Sequence, residues 1–424
     1  MVTANRREET LQKVPAAITA ISGETLARDN ITDLSGIANR TPGLSFAAFA
    51  TGQPEIAIRG VGTKEDGPAA SDSTVVSVDG VYVAARSAQV FDLFDLERVE
   101  VLRGPQGTLY GKNSIGGSVN FVTLQPNSKT RVKARIKVGN YGRMDAAGLV
   151  SGPIADDLYG KIAVSYRSND GFVRNILVGS PYFGQRWGET ESFSYRGTLR
   201  WEPGDRFSAT ITVDGAHDDN GATNREPVGN QGPLHNCGCA SDPVAINAAF
   251  GGADSPYTTL SDVEGHTRRN IFGVSLQLAW QFDFATLSSI SSYRRTRYDY
   301  LEDSSGLPAS RVFTDLTGAS GSPNIVLLGP AANGFTFKIT DAVKDTPRQY
   351  TQEIRLTSPS GDRFGWIAGL FLTKRRISGL RDSTSRRSAE RIACPASRPR
   401  TSPMTASLMP AMSRPRTSRS TASS

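Results

Sequence analysis

The stretch that decides the fold is DLERVEVLRGPQGTLYGKNSIGGSVNFVT, running from Asp95 to Thr123. It opens on a strand-like alternation, with Val99 and Val101 set against Glu100 and Leu102. It then passes through Gly104, Gly107, Gly111, Gly116 and Gly117 and closes on a second strand, Ser118 to Thr123. So many glycines between two strands predict a backbone that turns tightly or lies close against another backbone. Two phosphate-binding patterns are excluded. Gln106 stands where a P-loop needs its first Gly, and Asn113 follows Lys112 in place of Ser or Thr. Gly60-Val61-Gly62 begins a dinucleotide fingerprint, but Glu65 occupies the position of its third Gly.

The chain around this stretch has 424 residues, 42 of them Gly, and 38% are hydrophobic. No run of apolar residues is long enough for a transmembrane helix, which takes about 18 or more. A β-barrel stays open, because its strands alternate and keep mean hydropathy low. Met1 runs directly into the polar stretch Val2 to Glu9, so any export signal is expected outside this sequence. The net charge is +7, but from Arg375 onward 11 Arg face only Asp382 and Glu390. That tail carries more than the whole positive balance, so the basic charge does not point to a nucleic-acid partner. Cys237, Cys239 and Cys394 fit neither a disulfide framework nor a zinc pattern.

Before the central stretch, Val14 to Ile21 reads as a strand. Ser22 caps a short helix, with Thr25 at its third position and Leu26 on its apolar face. Ile31 to Ile37 continues helical, and Thr41-Pro42-Gly43 stops it. Glu55 to Gly60 is a strand. Thr74 to Val78 and Val81 to Val83 form a hairpin on the turn Asp79-Gly80.

From Arg131 the texture changes. Val132, Ala134, Ile136 and Val138 alternate with Arg131, Lys133, Arg135 and Lys137. Leu158 to Tyr166, Phe193 to Trp201, Phe207 to Val213 and Phe272 to Phe282 repeat the period of two. Met144 to Ser151, Ala285 to Arg294, Gln349 to Thr357 and Gly365 to Thr373 complete about nine strands, close to the roughly 9 to 11 residues of a tilted barrel strand. Short and long connections alternate after residue 151, as they do between periplasmic turns and external loops. Trp201, Phe207, Trp280, Phe282, Phe284, Phe364 and Trp366 gather beside the short turns, as one rim of an aromatic girdle would.

The run Val99-Glu100-Val101-Leu102-Arg103-Gly104-Pro105, then Leu109-Tyr110-Gly111 and Gly116-Gly117, resembles the plug signature of TonB-dependent outer-membrane receptors. Ile58-Arg59-Gly60, Val78-Asp79-Gly80-Val81, and Gln352 to Leu356 followed by Trp366 to Leu370 are similar to further segments of that family, so the resemblance covers about residues 2 to 373. It implies a membrane β-barrel with an N-terminal α/β plug domain. The family barrel has about 22 strands, so this sequence holds a partial one. The expected division is a plug at 1–127, a partial barrel at 128–373 and a disordered basic tail at 374–424. The tail holds 12 Ser, 11 Arg and five Pro, and no Phe, Tyr or Trp follows Phe371. A reading-frame shift near Lys374 is the expectation, with a genuine disordered tail as the alternative.

The resemblance also implies roles. Val2-Thr3-Ala4 is similar to the end of the TonB box, the segment that pairs with a TonB-type energy transducer by strand addition. Arg59 and Arg103 of the plug, with Glu353 of the barrel, match an electrostatic lock between the two parts. Gly60, Asp79, Gly80, Glu100, Gly104, Pro105, Tyr110, Gly111, Gly116 and Gly117 make up the plug signature. The implied partners are the transducer, outer-membrane lipid and a small-molecule ligand such as a ferric siderophore, with no nucleic acid. No cofactor and no catalysis are expected. His217, His235, His266, Asp218, Asp219, Cys237 and Cys239 share one outer loop. A metal site, a loop disulfide or an uncommitted loop all fit them. The implied function is energy-dependent uptake across the outer membrane. A soluble β-rich binding or adhesion protein, or an inactive receptor remnant, is the alternative.

Overall fold

The computed structural model describes residues 16–50, 52–63, 72–90, 92–111, 113–222, 255, 257–303, 337–359, 365–382 and 385–387. The first part is a small α/β body. Its strands are β1 (Ala17–Ser22), β2 (Leu44–Ala50), β3 (Gln53–Ile58), β4 (Thr74–Val78), β5 (Val81–Tyr82), β6 (Leu96–Arg103) and β7 (Gly117–Thr123). Three short helices accompany them: α1 (Gly23–Arg28), α2 (Leu34–Arg40) and α3 (Gly107–Tyr110). One sheet runs in the order β1-β6-β7-β4-β5, and β2 and β3 pair separately. The two strands of the central stretch therefore lie side by side, antiparallel, in the middle of that sheet.

Local chemistry sets these elements. The Ser22 hydroxyl accepts from the Thr25 backbone N–H at the start of α1, as the sequence predicts. The second helix begins at Leu34, three residues later than Ile31. There the Asp33 carboxylate accepts from the Gly36 N–H, while the Ile31 N–H is already bonded to the Leu26 carbonyl. Asp79 and Gly80 both sit at positive φ, 48° and 81°, and Val78 faces Val81. This is the two-residue turn that suits the twist of a hairpin. Ile37, Ile58, Val76, Val83, Val99, Val101, Val119 and Phe121 fill the core around the sheet. Two wall residues, Ile271 and Ala216, pack onto the same core.

A strand wall follows. Its elements are β8 (Arg131–Val138), β9 (Met144–Ala155), β10 (Leu158–Asn169), β11 (Val173–Asn175), β12 (Arg186–Trp187), β13 (Thr190–Trp201), β14 (Phe207–Gly221), β15 (Thr258–Thr259), β16 (His266–Gln281), β17 (Thr286–Asp303), β18 (Phe337–Thr357), β19 (Ile367–Asp382) and β20 (Ser385–Arg387). The large sheet runs β8-β9-β10-β13-β14-β16-β17-β18-β19, every neighbour antiparallel, with β20 attached to β18. All nine strands expected from the alternation are present, each paired to the next in chain order. In the outer connections from β10 to β13 and from β14 to β16, the three short strands β11, β12 and β15 form a separate small sheet.

The first outer connection, at 139–143, is short, and the alternation of loop lengths starts after β9, in line with the expectation. Two details differ from the expectation. β14, β16, β17, β18 and β19 run 15 to 21 residues, longer than the membrane requires, and all the excess lies on the long-loop side. His217, Asp218, Asp219 and His266 consequently stand on strands instead of a loop. β19 also continues through Lys374 to Asp382, pairing Gln349 with Arg375 and Pro347 with Ile377. The expected boundary at 374 falls inside that strand. Backbone pairing along the long edge of β18 carries the ladder on where side-chain alternation gives no signal.

The wall is inverted relative to a soluble sheet. Val132, Ile136 and Val138 are 70%, 74% and 81% exposed, and Ile162, Leu199, Leu276 and Leu370 are exposed on the same outer face. Lys161, Arg196, Asp214, Arg294 and Gln349 are buried or nearly so on the inner face. Exposed large apolar surface with buried charge inside is the arrangement of a barrel whose outside is lipid. Along the short-turn edge, Trp201, Phe207, Trp280, Phe282 and Phe284 touch in sequence, with ring centroids 5.7–5.9 Å apart. This is the aromatic rim the sequence predicts.

Candidate functional site

The inner face of the wall meets the α/β body along a polar seam. Its centre is Asp95, the first residue of the central stretch. Lys161 on β10 donates to Asp95 Oδ2 at 2.9 Å, and Arg196 on β13 donates to Asp95 Oδ1. Lys161 also reaches Thr123 Oγ1 at 3.3 Å. Thr123 in turn donates its N–H and its hydroxyl to the two oxygens of Asp79, each at 2.8 Å. One chain of contacts thus runs from the wall through the end of β7 to the hairpin turn.

Asp95 is buried, which alone pushes its carboxyl up, but the charges of Arg196 and Lys161 outweigh burial and hold it down to about 2. Asp79 shifts the other way. Burial raises it, and its bonds from Thr123 with the nearby charges of Lys161 and Arg196 only partly compensate. Two acids a few ångströms from the same cations are therefore driven in opposite directions, because only one of them touches the cations directly.

Three residues earlier, Asp92 accepts from Ser165 Oγ at 2.6 Å and from Arg167 at 2.7 Å, both on β10. Between the two acids Phe94 packs with Leu124, Leu149 and Ala163, and the Arg135 guanidinium sits 5.1 Å from the centre of its ring. The basic face of β8 turns inward, with Arg135 and Lys137 half-buried while Ile136 and Val138 are exposed. Beside Asp95 a cavity of about 40 Å3 is lined by Val90, Asp92, Arg196, Asp214 and Arg294, enough for one or a few waters. Arg294 makes a bidentate pair with Asp214 at 2.8 and 2.9 Å across the wall.

Further round, the wall reaches backbone groups of the plug instead of its acids. Arg269 on β16 is paired with Asp218 of β14 and also donates to the Ser87 carbonyl at 3.0 Å. Gln277 on β16 donates to the Asp79 carbonyl at 2.9 Å. Gln349 on β18 donates to the Tyr82 carbonyl at 2.7 Å and accepts from the Ala84 N–H at 2.9 Å.

The signature residues shape the body that carries this seam. Gly117, at φ 144°, pairs with Arg103, and a Cβ there would run into the Leu102 carbonyl. Gly104, at φ 115°, donates to the Gly116 carbonyl, and Gly116 donates to Ser73. Gly60 and Gly111 also need positive φ, and Pro105 is exposed between the turns. Glu100 is fully buried on β6. It accepts from Arg98 at 2.7 Å and from Asn120, which accepts from Ser77, so a polar row crosses three strands. Tyr110 packs against Leu102.

Arg59 and Arg103 come together at one turn. Arg103 donates to the Pro42 carbonyl at 3.1 Å, and the Arg59 N–H donates to Gly43 while its side chain lies beside Gly104. Glu353 is on β18 and accepts from Arg355 at 2.7 Å. Val2-Thr3-Ala4, His235, Cys237 and Cys239 lie outside the described residues. His217 is bonded to Asn270 and His266 to Asp299, while Asp219 pairs with Arg268. Among the described residues no cluster of His, Cys, Asp and Glu is placed to hold a metal.

Sequence reasoning missed Asp92, Asp95, Lys161, Arg196 and Gln349. The signal available was parity. Lys161 and Arg196 sit on the face opposite Ile162 and Leu199, and an inward charge becomes a contact only once something fills the lumen.

Residues 10–118 match the TonB-dependent Receptor Plug Domain. The vitamin B12 transporter BtuB of Vibrio vulnificus is 30% identical over 215 residues, covering 49% of this chain and 33% of that protein. The pesticin receptor of Yersinia pestis is 34% identical over 173 residues, covering 39% of this chain and 24% of that protein. The chain thus spans a third or less of the curated relatives it matches. Among solved structures, the ferric yersiniabactin uptake receptor FyuA from Yersinia pestis superposes with a TM-score of 0.64 at 22% identity, over 87% of this chain and 50% of that one. The ferric-catecholate import receptor Fiu from E. coli K12, in its open form, gives 0.63 at 18% identity, again over 87% and 50%. At these identities the likeness is one of fold, and it extends over both the α/β body and the strand wall. Residues 10–118 are thus matched as the plug domain of TonB-dependent receptors, and the strand wall that the charged seam joins to them has the fold of the solved receptors' barrels.

Proposed function

We propose that this chain supplies the plug and part of the barrel of an energy-coupled importer for a scarce, bulky nutrient, with a ferric siderophore as the leading ligand class. The observation that carries the reading is the seam at Asp95. The plug is seated in the wall by buried ion pairs and by neutral hydrogen bonds, with a few apolar contacts beside them, so its seat is specific while part of it can be released and remade. Val2-Thr3-Ala4 is the segment the inner-membrane transducer grips by strand addition. Arg59, Arg103 and Glu353 form a second, separable lock between plug and barrel. The plug occupies 1–127 and the barrel begins at 128. Binding and release are the whole activity; no residue acts as a catalyst.

The test is uptake of a labelled ferric siderophore, and of cobalamin, by cells carrying the protein with and without a working transducer. Transducer-dependent uptake of either supports import. Ligand binding that never depends on the transducer makes the protein a binder only. A protein found in the soluble fraction removes the reading altogether, and the exposed apolar face of β8 to β19 speaks against that outcome.

A further inference from the structure

The seam is not uniform around the wall. On β10 and β13 the plug is held by charge. Asp92 meets Arg167 and Ser165, and Asp95 meets Lys161 and Arg196. All four side chains of the Asp95 cluster and its Thr123 bridge are buried. On β16 and β18 the polar contacts go to backbone groups of the plug, beside the apolar contact of Ile271 with its core. The Asp79, Tyr82 and Ser87 carbonyls and the Ala84 N–H meet Gln277, Gln349 and Arg269.

The two kinds of contact respond differently to separation. Moving Asp95 away breaks two buried charge-assisted contacts at once and strands Lys161 and Arg196 until water reaches them, a larger loss than that of neutral hydrogen bonds. Moving Tyr82 and Ala84 away frees one amide side chain and two backbone groups, all neutral, and water entering the gap bonds them in place of the protein. Arg269 loses a carbonyl but keeps Asp218, its partner on the wall itself.

We infer that the plug is hinged on β10 and β13 through Asp92 and Asp95 and releases from the described wall at β16 and β18, so that a passage opens beside Tyr82 to Ala84. This would make Gln277 and Gln349 residues that the passing ligand brushes, and Asp92 and Asp95 positioning residues that it does not. The chemistry of that flank suits a polar, hydrogen-bonding cargo: amides, a hydroxyl and exposed peptide groups, with the Phe371 ring 6.5 Å from that of Tyr82. The inference rests on the import reading for its purpose, but its geometry is a property of the resting chain.

The experiment compares two single cysteines in a chain whose Cys237, Cys239 and Cys394 are changed to Ser. Ala84→Cys reports the neutral flank, and Val90→Cys, which lines the cavity by the clamp, reports the charged one. Both are labelled with a water-soluble maleimide in outer-membrane vesicles as urea is raised. The hinge predicts that Ala84→Cys reacts about tenfold faster or more, equal to about 1.4 kcal/mol less opening free energy. Adding Asp95→Asn brings the Val90→Cys rate up to match. Adding Gln349→Ala speeds Ala84→Cys further and leaves Val90→Cys unchanged, which decides the matter even if the Asp95 variant fails to reach the membrane. Equal rates in the parent chain, or faster reaction at Val90→Cys, overturn the hinge. Loss of transducer-dependent uptake with this labelling order intact would remove the import reading and leave the hinge standing.

Discussion

Lys161, on the second long strand of the wall, donates a 2.9 Å hydrogen bond to Asp95 in the plug, and both side chains are buried. Sixty-six positions separate them in sequence. The pair, with Arg196 on the other carboxylate oxygen, ties plug to wall through buried charge. Replacing Asp95 by Asn keeps the shape and removes the charge. The expected loss is about 3 to 5 kcal/mol, the usual cost of stranding a buried partner. The readout is the urea midpoint at which the plug becomes open to protease in membrane vesicles. An unchanged midpoint would mean that the ion pair is screened by water and contributes little.

The same carboxyl sets an acid limit. Its value in the folded chain, about 2, lies below the ordinary 3.8. A group depressed in this way adds stability above its unfolded value, and that stability is lost as pH falls through the folded one. Plug protection should therefore be level from neutral pH down to about 4 and decline between about 4 and 2. In Asp95→Asn the decline over that window should be shallower. A parent profile that stays flat to pH 2 would count against the pairing.

Asp79 should behave in the opposite sense. Its raised value means that its contribution is full below the ordinary carboxylate range and fades as pH rises through the folded value. Asn accepts the same bond from the Thr123 N–H and tolerates the positive φ of the turn. Asp79→Asn is expected to cost little at neutral pH, or to stabilise. Asp79→Ala strands the Thr123 N–H and should cost about 1 to 3 kcal/mol. Thermal unfolding of the two variants side by side tests this, and a larger loss in the Asn variant would sink it.

Glycine requirements differ along the signature. Gly117→Ala places a Cβ against the Leu102 carbonyl in backbone that L residues rarely adopt, and the plug should fail to form. Gly111→Ala meets open space and pays for the backbone alone, at φ 73° and ψ −158°, a region that favours glycine, so it should cost about 1 to 3 kcal/mol and still let the plug form. Protease resistance of residues 16–123 in membrane vesicles separates the two.

The aromatic rim makes a spectroscopic prediction. Trp201 and Trp280 are about half exposed on the outer face, while Trp187 is buried among the outer connections. Brominated lipid should quench the first two and spare the third, read from single-tryptophan variants in reconstituted bilayers. Equal quenching at Trp187 would misplace the membrane boundary.

Much of the fold was legible because period and turn chemistry are local. The alternation from Arg131 onward gave each of the nine wall strands, and Asp79-Gly80 gave its hairpin. What was not legible depends on distant partners. Strand ends above the membrane ran long because polar residues such as His217 and Arg268 pair across β14 and β16 without an apolar face to announce them. The start of α2 was misplaced because Ile31 reads as helical until Asp33 is seen to be the cap. Glu100 and Asp79 were found as signature residues. Asp92 and Lys161 were not, since a charge on an inward strand face has no meaning until the plug lies opposite it.

The order β1-β6-β7-β4-β5 has a bearing on biogenesis. The first strand of the plug pairs with its sixth, and the fourth lies parallel to the seventh, so only the β4–β5 hairpin and the β6–β7 pair find partners nearby in the chain, and the sheet is joined up by distant pairings. Contacts of this range form slowly. The sheet cannot assemble until residue 123 has emerged, and the cations that hold it, Lys161 and Arg196, follow later still. During export the plug must therefore wait, unfinished, for the wall that will enclose it, and the two are expected to reach their final form in one concerted step.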